Sequence, residues 1–395
     1  MKSNQKKKSK MKVVDLFAGA GGLSCGLEMA GFEPQFACEI EPIYASTYKH
    51  NHRNMPVYVD DVRGLDGNAI LKATGLKKGD LDLLAGGPPC QGFSINAPIR
   101  SLDDYRNQLV TEFIRIAGSL MPRFLLIENV TGIVSFGNGL VVEDIYKRLE
   151  KLGYQVHHAF LFAGHYGVPQ MRFRTIFLAS RDSRPPRFPK ATHDAKARAN
   201  FTGARKLLVE PLPIEGLSLR RATTVEDAIS DLPSIAPGKS KGPVAYKSEP
   251  HSEYQRLLRN GNAVVENHHT AGLAKVNLER LKHIPQGGSW RDIPFELLPA
   301  GLKRARRSDH TKRYGRLDPK GQCSTILTKC DPHWGSFFHP HEDRVISVRE
   351  AARFQSFPDH FVFLGGITDQ YAQVGNAVPP LLAKAIGEAI IEGAE

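Results

Sequence analysis

The residue best suited to chemistry in this chain is Cys90, which follows two prolines in the stretch LLAGGPPCQGFS, residues 83–94. Proline fixes φ and removes a backbone donor, so the turn that carries the thiol is stiff. The apolar run over 81–85 predicts a buried strand, and ligands of open α/β sheets bind at the carboxyl ends of strands. The residues alone leave two interpretations open, a small buried side chain or a nucleophile.

A second suggestive stretch, residues 13–32, predicts a strand, a glycine-rich turn and a helix. Glycines at such a turn let a ligand approach the amino end of the helix. Glu39 ends the next predicted strand, where an acidic side chain can bind ribose hydroxyls, and Asp61 follows the third. We infer a cofactor that contains adenosine. The incomplete GxGxxG pattern, and Phe17 as a residue able to stack on adenosine, favour S-adenosylmethionine over NAD.

Short apolar runs alternate with amphipathic stretches from residue 12 to residue 180. This alternation predicts βαβ units and a mostly parallel sheet, that is, an α/β fold. One helix is predicted over 106–121, because four apolar residues share a helical face, Leu109, Phe113, Ile116 and Leu120. Seven strands are predicted, at 12–17, 35–39, 56–59, 81–85, 124–128, 155–162 and 174–179.

The positive charge of the chain is unevenly placed. The formal net charge is +12, yet residues 181–330 alone hold 28 Lys and Arg against 15 Asp and Glu. The densest part is KRARRSDHTKRYGR, residues 303–316, which we call the basic run. A segment this biased, interleaved with aromatic residues, favours a polyanion partner over a merely solvated face. Helical periodicity returns only from residue 341, so we expect a basic domain inserted into one α/β domain.

Composition narrows the class of protein further. The chain is 41% hydrophobic and 24% charged, which is typical of a soluble protein. No apolar run approaches the ~20 residues that cross a bilayer. Residues 1–11 are basic, lack a secretory signal, and are expected to form a disordered tail. The five cysteines form no Cys-x-x-Cys pair, which favours a reducing, cytoplasmic setting without structural zinc.

Five short stretches of the chain occur in one characteristic order: GGPPCQGFS, IENV, PQMRFR, RVISVREAARFQSFPD and GNAVPP. Together they resemble the DNA cytosine-5 methyltransferase family, over residues 12–180 and 341–385. The resemblance implies a Rossmann-like, S-adenosylmethionine-dependent methyltransferase fold with a smaller target-recognition domain inserted. It assigns 12–180 and 341–395 to the catalytic domain and 181–340 to the target-recognition domain.

The resemblance also implies a covalent mechanism on cytosine. A Cys90 thiolate adds to C6 of the base, which makes C5 reactive enough to accept a methyl group. Glu128 would hydrogen-bond or protonate N3, and Arg174 would face O2, with Arg172 supporting the loop or a phosphate. The cofactor-binding residues implied are Phe17, Ala18, Gly19, Ala20, Gly21, Gly22, Glu39, Ile40, Asp61, Val62, Pro89, Leu109 and Asn376. No metal is expected.

A cytosine inside a duplex is unreachable, so the base must be flipped out into this pocket. Ser94 and Asn96 lie in a segment that resembles the family's mobile active-site loop, and are candidates for contacting the strand. IPQGGSWRDIP, residues 284–294, is the candidate recognition loop through Gly287, Gly288 and Trp290. A turn around a packed tryptophan is the alternative there. Arg349 and Glu350 are expected to have structural roles.

The expected partner is double-stranded DNA, bound by a monomeric, cytoplasmic enzyme that resembles compact prokaryotic restriction–modification members. A cognate endonuclease acting on the same site is expected in that case. The family's RNA-directed branch, which methylates transfer RNA, is expected to carry Cys-Phe-Thr, whereas residues 323–325 are Cys-Ser-Thr. A non-catalytic DNA-binding protein would not need Cys90 and Glu128 intact. A dehydrogenase leaves the Pro-Pro-Cys turn unexplained.

Overall fold

The computed structural model describes residues 10–53, 55–89, 108–196, 212, 214–239 and 242–395. The described strands are β1 (Lys12–Leu16), β2 (Glu33–Cys38), β3 (Val57–Tyr58), β4 (Leu83–Gly86), β5 (Phe124–Asn129), β6 (Gln155–Phe162), β7 (Gln170–Met171), β8 (Phe173–Ser180), β9 (His193–Asp194), β10 (Arg220–Arg221), β11 (Val244–Ala245), β12 (Val264–Val265) and β13 (Cys323–Ser324). The described α-helices are α1 (Gly22–Ala30), α2 (Pro42–Asn51), α3 (Gly67–Thr74), α4 (Gln108–Leu120), α5 (Leu140–Lys151), α6 (Val225–Ile229), α7 (Glu253–Arg259), α8 (Lys275–Leu281), α9 (Ala300–Lys303), α10 (Val348–Phe354), α11 (Ile367–Asn376) and α12 (Pro380–Ala394).

Seven strands form the central sheet, in the order β3-β2-β1-β4-β5-β8-β6. The first five are parallel, and β8 lies antiparallel between β5 and β6. Their apolar residues are largely buried, as in sheets covered on both faces. The predicted α/β class with a mostly parallel sheet is therefore confirmed. Each of the seven predicted strands is present, with ends displaced by at most two residues.

Helix α4 shows why the spacing of apolar residues predicted which side chains are buried in the core. Its predicted apolar face is buried at Phe113, Ile116 and Leu120, while Leu109 is half-buried against the same cluster. That face packs on strand residues such as Leu84 and Ile127. Apolar side chains at this spacing can leave water together only if the segment is helical.

The C-terminal segment returns to the sheet through close packing of α12 on α1. A Cβ added to Gly387 would lie 2.8 Å from the Cβ of Ala30, and one on Gly26 would collide with the carbonyl of Pro380. Small residues therefore let the two helices approach closely. By length and composition Ile367–Ala394 alone, among the described residues, could span a membrane. However, 61% of its apolar window is buried, as in the core helix of a folded domain.

Residues 181–340, the predicted target-recognition domain, are called the inserted region. Buried charged side chains join this region to α10. Arg353 donates hydrogen bonds to Asp231 and Asp359, and to the carbonyl of Ala228. Arg349 and Glu350 are also buried and hydrogen-bonded, which agrees with the structural roles expected of them. The domain boundaries at residues 180 and 340 stay a prediction.

Candidate active site

The glycine-rich turn between β1 and α1 has a backbone conformation that side chains rarely adopt. Phe17, Gly19 and Gly21 have φ angles of 59°, 56° and 101°. Positive φ costs a residue with a side chain about 1–3 kcal/mol, and such strain concentrates at ligand sites. A Cβ added to Gly19 would meet no atom within 4 Å. The turn therefore leaves open space at the amino end of α1.

An acidic and an apolar side chain lie beside this turn, at the end of β2. Glu39 is buried, and its carboxylate accepts hydrogen bonds from the N–H groups of Gly19 at 2.7 Å and Glu41 at 2.9 Å. Burial raises the pKa of Glu39. Ile40 is 56% exposed and offers an apolar surface next to the carboxylate. This pair of side chains suits a ligand that has hydroxyl groups as well as a flat ring.

The other predicted cofactor residues lie near the same edge of the sheet and differ in how exposed they are. The carboxylate of Asp61 caps the short helical turn that contains Val62, and a hydrogen bond from Arg63 lowers the pKa of Asp61. Asn376 ends α11, close to the point where Val378 meets Gly22; a Cβ on Gly22 would lie 2.6 Å from the Val378 carbonyl oxygen. Phe17 and Leu109 are half-buried, Pro89 and Asn376 are exposed, and five residues are buried, Ala18, Ala20, Gly21, Gly22 and Val62.

Sequence reasoning missed Asp15, which lies in β1 beneath the turn. The Ser24 hydroxyl donates to its carboxylate at 2.6 Å and lies 2.7 Å from the hydroxyl of Tyr48. Burial raises the pKa of Asp15 to about 7. This network links β1, α1 and α2 and holds the turn from below. Only its acidic character in an apolar strand could have signalled it.

The Pro-Pro segment leaves β4 directly against the end of β5. A Cβ on Gly87 would lie 3.0 Å from a carboxylate oxygen of Glu128, and the side-chain amide of Asn129 donates to the carbonyl of Pro88 at 3.4 Å. The two strands are paired here, with Gly86 opposite Ile127. The start of the cysteine-bearing loop and Glu128 are thus neighbours. Cys90, Ser94 and Asn96 lie outside the described residues.

Glu128 forms an ion pair with Arg174, one of the two arginines predicted from PQMRFR. The guanidinium Nε contacts Oε1 of Glu128, and each side chain is 13% exposed. In the antiparallel pair of β5 and β8, Glu128 lies opposite Ile176. Arg174 is two residues earlier on β8, so both side chains are on one face, in diagonal contact. The structure brings these two predicted residues together at the edge next to Pro88.

Arg172 has a different position from Arg174, although both come from one short motif. Arg172 is buried, and it donates to the carbonyls of Ile326, Gly375 and Ala377 at 3.0–3.3 Å. Burial lowers the pKa of Arg172. It binds two chain segments beside the site, which fits the supporting part of its predicted role. A contact with phosphate would require a buried guanidinium to become exposed.

The other four cysteines are unsuited to nucleophilic chemistry. Cys25, Cys38, Cys323 and Cys330 are all buried. Burial raises the pKa of each thiol, to about 12 for Cys38. Because the thiolate is the nucleophile, none of these four is activated. Within the described residues, no group of three or more His, Cys, Asp and Glu side chains could hold a metal ion.

Comparison with known proteins gives this arrangement a family. The sequence profile of the C-5 cytosine-specific DNA methylases matches residues 11–392. The chain belongs to this family. It is 35% identical over 96% of its length to the type II methyltransferase M.AgeI of Thalassovita gelatinovora, covering 99% of that protein. It is 34% identical to DNA (cytosine-5)-methyltransferase 1 of Gallus gallus, covering 96% of this chain but only 29% of that protein.

Solved structures agree with this assignment. A DNA modification methyltransferase encoded within a prophage, from E. coli, superposes with a TM-score of 0.72 at 26% identity, covering 97% of this chain and 99% of that one. A DNMT2 of Spodoptera frugiperda shares the fold, with a TM-score of 0.58 at 16% identity over 96% and 99% of the two chains. The methyltransferase fold and the enzyme class, DNA (cytosine-5)-methyltransferase, are confirmed.

In this DNA methyltransferase the basic run forms an exposed face of the inserted region. Lys303, Arg304, Arg306, Arg307 and Lys312 are exposed. Beneath them lies a small apolar core of eight buried residues, Leu281, Ile284, Trp290, Ile293, Leu302, Tyr314, Phe338 and Val345. The cations are therefore carried on a packed scaffold and are available to phosphates.

Trp290 belongs to that core and is not exposed at the predicted recognition loop. Its side chain is 3% exposed, and its indole N–H donates to the carbonyl of His310 at 3.1 Å. Of the two interpretations of residues 284–294, the turn around a packed tryptophan describes this position. Gly287 is exposed and Gly288 is half-buried beside it. A contact between DNA and the Trp290 ring would require this core to open.

The exposed tryptophan of this region is Trp334, which sequence analysis did not select. Its side chain is 57% exposed. Periodicity is weak around DPHWG, and nothing in the local pattern distinguishes an exposed indole from a packed one. Its occurrence as one of only two tryptophans in the chain was the available signal.

Proposed function

We propose that this protein transfers a methyl group from S-adenosylmethionine to C5 of a cytosine flipped out of duplex DNA, through a covalent bond from Cys90 to C6. The observation that carries the proposal is the Glu128–Arg174 ion pair at the end of β5, beside the Pro-Pro segment. A carboxyl group and a guanidinium on one face can bind two neighbouring polar atoms of cytosine, the ring nitrogen N3 and the exocyclic oxygen O2. The finer assignments that follow are parts of the same proposal.

The residues at the glycine turn fit S-adenosylmethionine. Gly19 leaves open space, the Glu39 carboxylate can accept hydrogen bonds from ribose hydroxyls, and Ile40 can pack on adenine. When bound, S-adenosylmethionine supplies an electrophilic methyl group on sulfonium. The chain's own residues have three other roles, which are to position the base, to activate it and to exclude water.

The role of the ion pair follows from where charge develops. As the Cys90 thiolate adds to C6, electron density moves toward N3 and O2 of the ring. Glu128 stabilises it by holding a proton at N3, and Arg174 by donating to O2. C5 then carries the electron pair that bonds to the methyl carbon, while the bond from that carbon to the sulfonium sulfur breaks and S-adenosylhomocysteine is left. Loss of the C5 proton to solvent and expulsion of the Cys90 thiolate restore the aromatic base.

The inserted region would hold the duplex while the base is out of the stack. Exposed cations of the basic run suit phosphate contacts, which position the protein without reading sequence. We further propose a monomeric, cytoplasmic enzyme of the restriction–modification type. The match to a type II methyltransferase over 99% of that protein's length supports this proposal. A cognate endonuclease would act on the same site without forming a complex.

The experiment uses purified protein with methyl-labelled S-adenosylmethionine, offered mixed-sequence duplex DNA and transfer RNA separately. We expect label on C5 of cytosine at one short DNA sequence, which would also identify the target. The C90A variant should bind the cofactor and DNA but transfer no label. Label on RNA alone would assign the RNA-directed activity instead. Cofactor binding without label on either nucleic acid would favour a non-catalytic DNA-binding protein.

A further inference from the structure

Trp334 is an exposed indole that lies against the guanidinium of Arg313. The Arg313 guanidinium carbon lies 5.3 Å from the centre of the indole, and the His333 ring packs edge-on at 5.0 Å. Large aromatic side chains are usually buried, because each can remove some 150–250 Å² from water. A tryptophan that is more than half exposed is therefore available for a contact outside the chain.

The turn that carries Trp334 is held in place by backbone and side-chain hydrogen bonds. The N–H of Trp334 donates to the carbonyl of Asp331 at 3.0 Å, and that of His333 to the Asp331 carboxylate at 2.8 Å. Tyr314 donates from its N–H to the carbonyl of Pro332 at 2.7 Å. These bonds attach residues 331–334 to the end of the basic run, so little ordering entropy remains to be lost on binding.

The chain just before this turn is anchored beside the candidate active site. β13 pairs with β7 through Cys323 and Gln170, and Arg172 donates to the carbonyl of Ile326. A Cβ on Gly375 would collide with the carbonyl of Leu327. Only five residues lie between Thr328 and Trp334. Trp334 thus follows the wall of the site closely in sequence, and its turn is hydrogen-bonded to the end of the basic run.

We propose that Trp334 contacts the bases of the duplex next to the flipped cytosine, and so helps to define the sequence that is methylated. The proposal rests on the proposed function. The Arg313 guanidinium at the ring and the exposed cations of the adjoining basic run argue for DNA as the occupant, because they complement its phosphates. The indole itself carries no charge. Its contribution comes from apolar and stacking contact with bases.

The first test uses the difference between the two tryptophans. Acrylamide quenching of tryptophan fluorescence is measured in the wild-type protein and in W334F, whose remaining tryptophan is buried Trp290. Mixed-sequence duplex DNA should protect the wild-type signal and leave the W334F signal unchanged. Full DNA binding without protection of the wild-type signal would overturn the proposal. This readout does not depend on methyl transfer, so it stays informative if the proposed reaction fails.

The second test is kinetic, on a duplex that carries the site the wild-type enzyme methylates. W334A should lower kcat/KM for this duplex about 10- to 100-fold, as expected when one base–aromatic stacking interaction is removed. The KM for S-adenosylmethionine and the salt dependence of DNA binding should stay unchanged, because every cation that can bind phosphate is retained. W334F should retain part of the activity.

The matched control is L257A, which shortens another exposed apolar side chain of the inserted region. It should change kcat/KM by less than about twofold, since surface substitutions away from a site have small effects. Wild-type kcat/KM in W334A would overturn the proposal. An equal loss in L257A would do the same, because the effect would then be a general one of the region.

Discussion

Two arginine–carboxylate clusters of this methyltransferase use the same chemical groups in opposite ways. At the end of β5, Glu128 and Arg174 are paired with each other, and each side chain is 13% exposed. In α10, Arg353 is fully buried and forms ion pairs with two carboxylates, those of Asp231 and Asp359. In the proposed reaction the first pair exchanges partners when a base arrives. The second cannot do so without unfolding its surroundings.

The difference indicates that burial and the number of partners, not residue type, separate the pair proposed to be catalytic from the structural one. A buried charge that loses a partner is left uncompensated in a medium of low polarity. An ion pair at an accessible edge can open at lower cost, since water or substrate takes the place of the departing partner. We therefore expect substitutions in the two clusters to affect different properties, activity in one and stability in the other.

The largest effect should come from E128Q. Glutamine keeps the shape of Glu128 but cannot donate a proton to N3, so the chemical step should slow by a factor of about 10²–10⁴. Single-turnover methylation with the labelled cofactor measures this step directly. The midpoint of urea unfolding should change little. Exposed Glu143 offers the control variant E143Q, for which both quantities should match the wild type.

Next in size is R353M, in the buried cluster. Removing the guanidinium leaves Asp231 and Asp359 without their shared partner, which should cost about 3–5 kcal/mol in the free energy of unfolding. Urea unfolding measures the loss, and kcat per folded molecule should stay near the wild-type value. R148M removes an exposed i,i+4 pair with Asp144 and should cost about 0.5 kcal/mol or less. Equal stability of the two variants would contradict the comparison.

A smaller, pH-dependent effect is expected at His339, which lies beside Glu350. Burial lowers the pKa of His339 to about 4, and its Nδ1 accepts hydrogen bonds from the N–H groups of His341 and Glu342. The unfolded chain binds a proton near pH 6.5 while the folded protein does not. Stability is therefore lost as the pH falls from 6.5 toward 4.

The variant H339N lacks the titrating group. As the pH falls from 6.5 toward 4, its free energy of unfolding should therefore decrease by about 1–3 kcal/mol less than that of the wild type. The free energy of unfolding of both proteins is measured across the pH range, and the difference between them isolates His339 from the other histidines. A parallel decline in wild type and H339N would contradict the assignment.

The smallest effect should come from the exposed arginines of the basic run. The double variant R304Q/R306Q should raise the KM for DNA by a few fold and lower the slope of log K against log salt by up to about 0.9 for each phosphate that is no longer neutralised. Binding is measured at several salt concentrations. The control K77Q/K78Q removes two exposed cations from the catalytic domain and should leave the slope unchanged. An unchanged slope in R304Q/R306Q would make the basic run a merely solvated face.

Much of this molecule could be predicted because its determinants are local. Alternation of apolar runs located all seven strands of the central sheet, since each strand must bury its own side chains. The glycine turn and Glu39 were predicted to bind one cofactor, and a hydrogen bond from Gly19 to Glu39 joins them. The family resemblance assigned Glu128 and Arg174 to one base, and the two side chains are in contact in the structure.

Other features depended on partners distant in sequence. Arg172 and Arg174 share one short motif, yet one binds carbonyls of residues 326–377 and the other a carboxylate of β5. The two tryptophans are equally apolar, and only the packing of the inserted region buries Trp290 and exposes Trp334. The sequence by itself determined the strands, the cofactor turn and the reactive residue types, because local pattern and side-chain chemistry suffice for these. The tertiary structure decided which arginines and which tryptophan can reach a ligand, because exposure depends on contacts between segments that no local pattern encodes.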